Sequence, residues 1–322
     1  MRPVLFSLGH DHPLAFHAYG FCVTLGLLAG IWILVSEVRR LGLDLRQFAW
    51  MMVWCGVAGF VGARLVFVLV NAPTFVRTCL GGEGATRTFG RLLADCTLAL
   101  HVWGPGLVIY GGLIGGTLAG IVFGRARGWS CWRLADVFAP ATAAGMAIGR
   151  LGCLAAGCCF GKPTDLPWGI AFPAGSIPAA YFRSRGAPSP PLHPTQAYEA
   201  GGLLALTALL LYLRWRQHRP GVASRPGARA LVFLVGYGAL RFADEWFRGD
   251  VERGFFFEWR SSSIASWLHV PVKMPLLFST SQLVSVVIIA AAIVLASLRR
   301  RTARLSEIAT SIPPAVTAAN AA

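Results

Sequence analysis

The sequence predicts an all-α, polytopic membrane protein: seven transmembrane helices, irregular connecting loops, the N-terminus outside and the C-terminus inside. Three observations predict it. The 322 residues are 55% hydrophobic and only 13% charged, with mean hydropathy +0.59. Soluble domains run near a quarter charged, so a large water-soluble enzyme, a disordered chain and a coiled coil are disfavoured together. Seven stretches approach the roughly 20 apolar residues that cross about 30 Å of hydrocarbon as helix. Finally, the 29 Lys+Arg against 14 Asp+Glu would suggest nucleic acid in a soluble chain, but here they sort to one side of the spans, so no nucleic-acid partner is expected.

In order, the spans are Leu14 to Val35, Phe48 to Val70, Leu107 to Phe123, Leu134 to Ala156, Ala197 to Leu213, Ala230 to Phe247 and Thr280 to Leu298. The first is read as retained: it has no basic region beyond Arg2, and no small-x-small cleavage site precedes Arg39-Arg40. Arg39, Arg40 and Arg46 follow it. Arg125, Arg127 and Arg133 follow the third span, Arg214, Arg216, Arg219, Arg225 and Arg229 the fifth, and Arg299, Arg300, Arg301 and Arg304 the seventh. Those segments are cytoplasmic by the positive-inside rule. The loops 71–106, 157–196 and 248–279 mix signs and face out. The loop from Gly157 to Pro194 is dense in Gly and Pro, so it should be irregular, with one short strand at Trp168 to Phe172. Residues 1–304 form a single integral domain, and 305–322, rich in Ala, Thr and Pro, read as a disordered cytoplasmic tail.

Charges inside spans are the next signal. Arg64, Arg150 and Arg241 each cost about 2.5–3.5 kcal/mol on insertion scales, so each must face the bundle interior or a wet cavity and find a partner. At about 1.5 Å rise per residue, all three sit at or beyond the midplane, toward the outside. Tyr19, Tyr110, Gln196 and Glu199 occupy the same layer. An arginine fork matches phosphate and stays charged in a low dielectric, so this layer suits an anion, at that depth a lipid phosphate. The structural alternative is that the arginines pair with Asp136, Glu199, Asp244 or Glu245 and lock the helices together.

The motifs carry a resemblance. Gly149-Arg150-Leu151-Gly152 followed by Gly157 and Gly161, His193-Pro194-Thr195-Gln196-Ala197-Tyr198-Glu199, and Gly236-Tyr237-Gly238-Ala239-Leu240-Arg241-Phe242 resemble signature stretches of the prolipoprotein diacylglyceryl transferase family. So do Tyr19-Gly20, Gly62-Ala63-Arg64-Leu65, Tyr110-Gly111-Gly112-Leu113-Ile114-Gly115, Glu245 with Arg248, and Ser281-Gln282. They run in family order across nearly the whole chain.

The resemblance implies a multi-pass enzyme of the bacterial inner membrane, N-terminus periplasmic and C-terminus cytoplasmic. It would transfer the diacylglyceryl group of phosphatidylglycerol to the lipobox cysteine of a prolipoprotein signal peptide, releasing glycerol phosphate. Its partners are those substrates and membrane lipids; no metal or organic cofactor is implied. By the same resemblance Arg150, Arg241 and Tyr110 are the catalytic candidates. Tyr19, Arg64, Gly111, Gly112, Cys153, Gly161, His193, Gln196, Glu199, Tyr237, Glu245 and Arg248 are the substrate-binding ones. The glycines also allow close helix packing.

The sequence departs from the family pattern at four positions. Tyr110 stands where histidine is usual, Cys153 where asparagine is, Cys158 where glutamate is, and Lys162 where arginine is. Tyrosine, with a reference pKa of about 10, is a demanding thiol base, so the expectation is that the arginine field ionises the thiol and Tyr110 positions it. Among the cysteines, Cys79 and Cys96 share an outer loop where an oxidising compartment permits a disulfide. Cys22, Cys55 and Cys131 read as small apolar residues or surface thiols. Cys153, Cys158 and Cys159 cluster at the exit of the fourth span in a spacing that matches no standard zinc pattern, so packing or a disulfide ranks above metal. Two other readings stay open: a diverged paralogue with a different acceptor thiol, and an anionic-lipid-binding or transport protein, which the lack of paired-half symmetry disfavours.

Overall fold

In a computed structural model, residues 4–8, 14–73, 106–217, 219, 225–249 and 254–311 are described. The elements are β1 (Val4–Leu8), β2 (Leu14–His17), α1 (Ala18–Arg40), α2 (Leu45–Val70), α3 (Ile109–Ala126), α4 (Cys131–Ala156), α5 (Ile177–Arg183), α6 (Thr195–Gln217), α7 (Ala228–Asp244), β3 (Phe255–Trp259), α8 (Ser262–Trp267), β4 (Leu277–Ser279) and α9 (Thr280–Ser311). Among the described residues the regular structure is helical apart from two antiparallel strand pairs, β1 with β2 and β3 with β4.

Among the described residues six helices, α1, α2, α3, α4, α6 and α9, are long and apolar enough to cross a membrane. The sixth predicted span becomes α7, with 17 residues and a length of about 26 Å, and it carries Arg229, Arg241 and Asp244. Other boundaries move for local reasons. The first span loses Leu14–His17 to a strand pairing with Val4–Leu8. The second begins earlier because Asp44 caps it, accepting from Arg46 N at 2.8 Å and Gln47 N at 3.3 Å. The last helix runs on past Leu298 to Ser311, beyond the Arg304 boundary read from composition; residues 312–322 lie outside the described ones. The strand expected at Trp168 to Phe172 is reduced to one isolated bridge, Ile170 with Leu192, because the surrounding prolines leave little backbone to pair.

Exposure is inverted relative to a soluble protein. Trp50, Trp54, Phe60, Leu65, Leu118 and Val122 are exposed, while Asp136, Gln196, Glu199, Asp244 and Glu245 are buried. Apolar surface outside and polar groups within is the arrangement a hydrocarbon solvent demands.

The chain forms two compact units, Met1–Leu34 with Ala135–Ala322, and Val35–Leu134. In the second, α2 and α3 meet along facing glycines. A Cβ on Gly111 would lie 2.2 Å from Gly62 O, and one on Gly115 2.3 Å from Ala58 O. Contact this close between backbones is how helices associate without a hydrophobic drive. Gly111→Ala is therefore expected to cost about 1–3 kcal/mol through overpacking. Gly56→Ala on α2, with open space around its Cβ, costs nothing or stabilises by the helix propensity of alanine. Thermal unfolding of the two variants in detergent checks this; equal midpoints would remove the close approach as the reason for glycine.

In the first unit Asp136, buried on α4, accepts Gly227 N at 2.6 Å and Ala230 N at 2.9 Å. One carboxylate thus satisfies amides that open α7 and fixes that helix against α4. Ala139 and Ala143 of α4 pack on Leu206 and Leu210 of α6, with Tyr237 of α7 against them. These contacts set the three helices that carry the charged site.

Candidate active site

The site is assembled from helix spacings. Gln196 and Glu199 lie three residues apart on the first turns of α6, on one face, and both are 1% exposed. Arg150, near the end of α4, pairs with Glu199 Oε1 at 2.9 Å. On α7, Arg241 pairs with Glu245 at 2.8 Å and Asp244 at 3.5 Å, the i,i+4 and i,i+3 positions. Its Nη2 also donates to Ser281 Oγ on the first turn of α9 at 3.1 Å. Tyr237, one turn before Arg241, is reached by the charges of Glu199, Arg241, Arg150 and Arg248.

The sequence expectation of unneutralised arginines is corrected here. Arg150 is paired by Glu199, and Arg241 by Glu245 and, at longer range, Asp244. For Arg150 and Arg241 the pairing alternative is realised, because the facing helix and the next turn of α7 each supply a carboxylate. Asp136, weighed as a possible partner, instead holds the start of α7.

The cluster is not fully satisfied. Gln196 Oε1 and Asp244 Oδ1 are buried with no hydrogen-bond donor or ion-pair partner among the described residues, and Asp244 Oδ2 meets only Arg241 Nη1, at 3.5 Å. Gln196 uses its other atom, Nε2, to donate to Cys158 O at 2.7 Å. A buried acceptor without a donor costs about 1–3 kcal/mol, and such groups in a native fold mark strain or a ligand.

Around this core a knot of loops holds the frame. Gly161 N donates to His193 O at 3.1 Å, Lys162 N to Phe247 O at 2.6 Å, and Gly249 N to Phe160 O at 3.0 Å. Lys162 Nζ donates to Trp246 O at 2.9 Å and Pro275 O at 2.6 Å. A Cβ on Gly161 would stand 2.3 Å from His193 O, so only glycine fits. His193 is fully buried, with ring nitrogens at 3.2 Å from Tyr198 Oη and 3.3 Å from His269 O. In this structure Gly161 and His193 support the site rather than line the charged cluster.

Burial pushes the His193 imidazole below its ordinary value, outweighing its hydrogen bonds. The sign follows: the unfolded chain takes up the proton first, so stability is full above about pH 6.5 and falls as pH drops toward the lowered folded value. The thermal midpoint should decline below that pH in the parent protein, and decline less in His193→Gln. Parallel curves for the two would remove His193 from the acid sensitivity.

The remaining predicted residues divide by unit. Tyr19 and Cys153 belong to the first: Gly152 packs on Tyr19, and Tyr19 lies within electrostatic reach of Cys153 and Arg150. Arg64, Tyr110, Gly111 and Gly112 belong to the second. There Arg64 Nη1 donates to Gly106 O at 3.1 Å and its guanidinium lies 5.2 Å from the Phe67 ring centroid. Tyr110, on the first turn of α3, is 63% exposed. Cys79 and Cys96 lie outside the described residues. Sequence reasoning did not place Asp244 or Ser281 among the site residues; the i,i+3 spacing from Arg241 was the available signal for Asp244. Cys158 and Cys159 join Cys153 so that the three sulfurs lie within 4.8 Å of one another.

Comparison with known proteins assigns this arrangement to a family. The family model described as prolipoprotein diacylglyceryl transferase matches residues 3–298. The phosphatidylglycerol–prolipoprotein diacylglyceryl transferase of Methylococcus capsulatus is 33% identical over 266 residues, 80% of this chain and 86% of its own. The protein of that name from Synechococcus elongatus is 32% identical over 248 residues, 77% of each chain. The one from Clostridium tetani is 28% identical over 250 residues, 78% of this chain and 86% of its own. With the matched region running through every helix of the charged cluster, the chain belongs to the prolipoprotein diacylglyceryl transferase family.

Proposed function

We propose that this chain transfers the diacylglyceryl group of phosphatidylglycerol to the lipobox cysteine of prolipoproteins, the activity its relatives' names describe in outline. The observation that carries the reading is the buried cluster itself: guanidinium groups from α4 and α7 beside two acceptor oxygens, Gln196 Oε1 and Asp244 Oδ1, without donors among the described residues. A phosphoglycerol head group complements both halves. Its phosphate suits the arginines, which stay ionised at any working pH, and its two hydroxyls bring the donors that Gln196 Oε1 and Asp244 accept.

In the reaction the peptide sulfur attacks the glycerol carbon bearing the phosphate. The S–C bond forms, the C–O bond breaks, and glycerol phosphate leaves with the electron pair. Arg150 and Arg241 hold the phosphate while its charge grows, the step at which fixed cations lower the barrier most. The thiol proton passes to a carboxylate of the cluster. Asp244, held by one longer ion pair and no hydrogen bond, is the acceptor least committed elsewhere. Tyr19 and Tyr237 orient the head group.

The membrane arrangement belongs to the same proposal. Counting α7 as a seventh span puts the N-terminus in the periplasm and the C-terminus in the cytoplasm of the bacterial inner membrane, following the arginine-rich ends of α1, α3, α6 and α9. The test is incubation of purified protein with phosphatidylglycerol and a lipobox peptide. A peptide mass gain of one diacylglyceryl unit supports the reading; lipid binding without that gain favours a lipid-binding or transport role. In the same assay, Tyr110→Phe with full activity would remove the thiol-positioning role that the resemblance suggests for Tyr110.

A further inference from the structure

The exit of α4 carries a second constellation, to which the transfer steps proposed above give no role. Helix α4 ends in a complete Schellman turn. Gly157, at φ 77, takes the left-handed position; its N–H bonds Leu154 O at 3.3 Å, and Cys158 N bonds Cys153 O at 3.2 Å. This turn brings the residue after the glycine back over the residue five positions earlier, which here lays the Cys158 side chain on Cys153. Cys159 then adopts φ 58, a conformation uncommon outside glycine, and its sulfur joins the other two.

The backbone of this turn is pinned from α6. Thr195 Oγ1 donates to Cys159 O at 2.8 Å and Gln196 Nε2 to Cys158 O at 2.7 Å. Three half-buried thiols are thereby held with all sulfurs within 4.8 Å of one another. Arg150 and Arg248 are close enough to act on Cys159, so positive charge faces the side where thiolates would develop.

We propose that Cys153, Cys158 and Cys159 form a three-coordinate thiolate site for a soft monovalent cation of the copper(I) class. Metal–sulfur bonds of about 2.3 Å in a trigonal plane set the sulfurs about 4 Å apart, so closure needs less than about 1 Å of movement. Soft thiolates select copper(I). Zinc asks for four ligands in a structural site, and no histidine, carboxylate or further cysteine among the described residues completes a fourth position. Binding releases the three thiol protons and leaves a net charge of two minus at the metal, which the neighbouring guanidinium groups offset.

The test uses full-length protein in detergent, reduced and anaerobic, titrated with copper(I) against a chromogenic copper(I) chelator. The expected result is one copper per chain with thiolate-to-copper absorption in the near ultraviolet and three fewer titratable thiols. Each of Cys153→Ser, Cys158→Ser and Cys159→Ser should weaken binding at least 100-fold, and Cys131→Ser should leave it unchanged. X-ray absorption should show three sulfurs in the first shell. Copper uptake equal to that of the triple serine variant overturns the proposal. So does a first shell with fewer than three sulfurs, or a Cys153–Cys158 disulfide that re-forms after reduction and excludes copper. None of these readouts depends on lipid transfer, so the copper site and the transferase reading stand or fall separately.

Discussion

Arg241→Lys keeps a positive charge at the site and still loses transfer, with an expected fall in kcat of about 100- to 1000-fold, the scale of removing one preorganised donor from a developing anion. The reason is geometry. The guanidinium of Arg241 reaches Glu245, Asp244 and Ser281 at once, at 2.8, 3.5 and 3.1 Å, and a planar fork anchored this way presents its remaining face in one orientation. An ammonium on a flexible stem offers a point charge with no fixed direction. Arg241→Ala would fall at least as far, but it also strands two buried carboxylates, so its loss mixes folding with chemistry. The lysine variant avoids that: its thermal midpoint should stay close to the parent's while kcat collapses. Peptide modification followed by mass spectrometry, at saturating phosphatidylglycerol, measures the first quantity. Transfer at the parent rate in Arg241→Lys would show that charge alone suffices and the fork is incidental.

Much of this arrangement was legible in the chain. Long apolar runs place α1, α2, α3, α4, α6 and α9 because hydrocarbon imposes a length, and the arginines mark helix ends because charge resists crossing. Arg150 and Arg241 stand out because a charge within a span must have a reason. What the sequence hid was pairing in three dimensions. Glu199 could be seen on α6 and Arg150 on α4, yet nothing in one dimension says that these two meet at 2.9 Å while Asp136 turns to the amides of α7. The surplus of positive charge read from counting was therefore wrong locally, although the count itself was right. The cysteine trio was visible as a cluster at the exit of the fourth span, but its geometry was not: the spacing fits no regular motif, and the left-handed turn at Gly157 and the unusual φ of Cys159 bring the sulfurs together. Conversely, the Gly111 and Gly112 stretch did announce close packing, since small residues in apolar helices have few other uses.

Glu199→Ala is expected to destabilise the protein by about 3–5 kcal/mol, because it leaves Arg150 uncompensated in a largely buried position. The side chains are 19% and 1% exposed for Arg150 and Glu199 respectively, so water screens the remaining charge poorly. Removing both partners should behave differently: Arg150→Met with Glu199→Leu replaces the pair by apolar groups of similar size, a change that is often neutral or stabilising for buried pairs. The double-mutant cycle, read from unfolding in detergent, should then give a coupling energy of about 2–3 kcal/mol or more. Transfer activity must not follow stability through the cycle. If Arg150 holds the substrate phosphate, the double variant recovers its thermal midpoint and remains inactive; if the pair only locks α4 to α6, activity returns along with stability. The two measurements on one set of four proteins thus separate a helix clamp from a phosphate ligand, which the ion pair alone, satisfying both roles at 2.9 Å, does not.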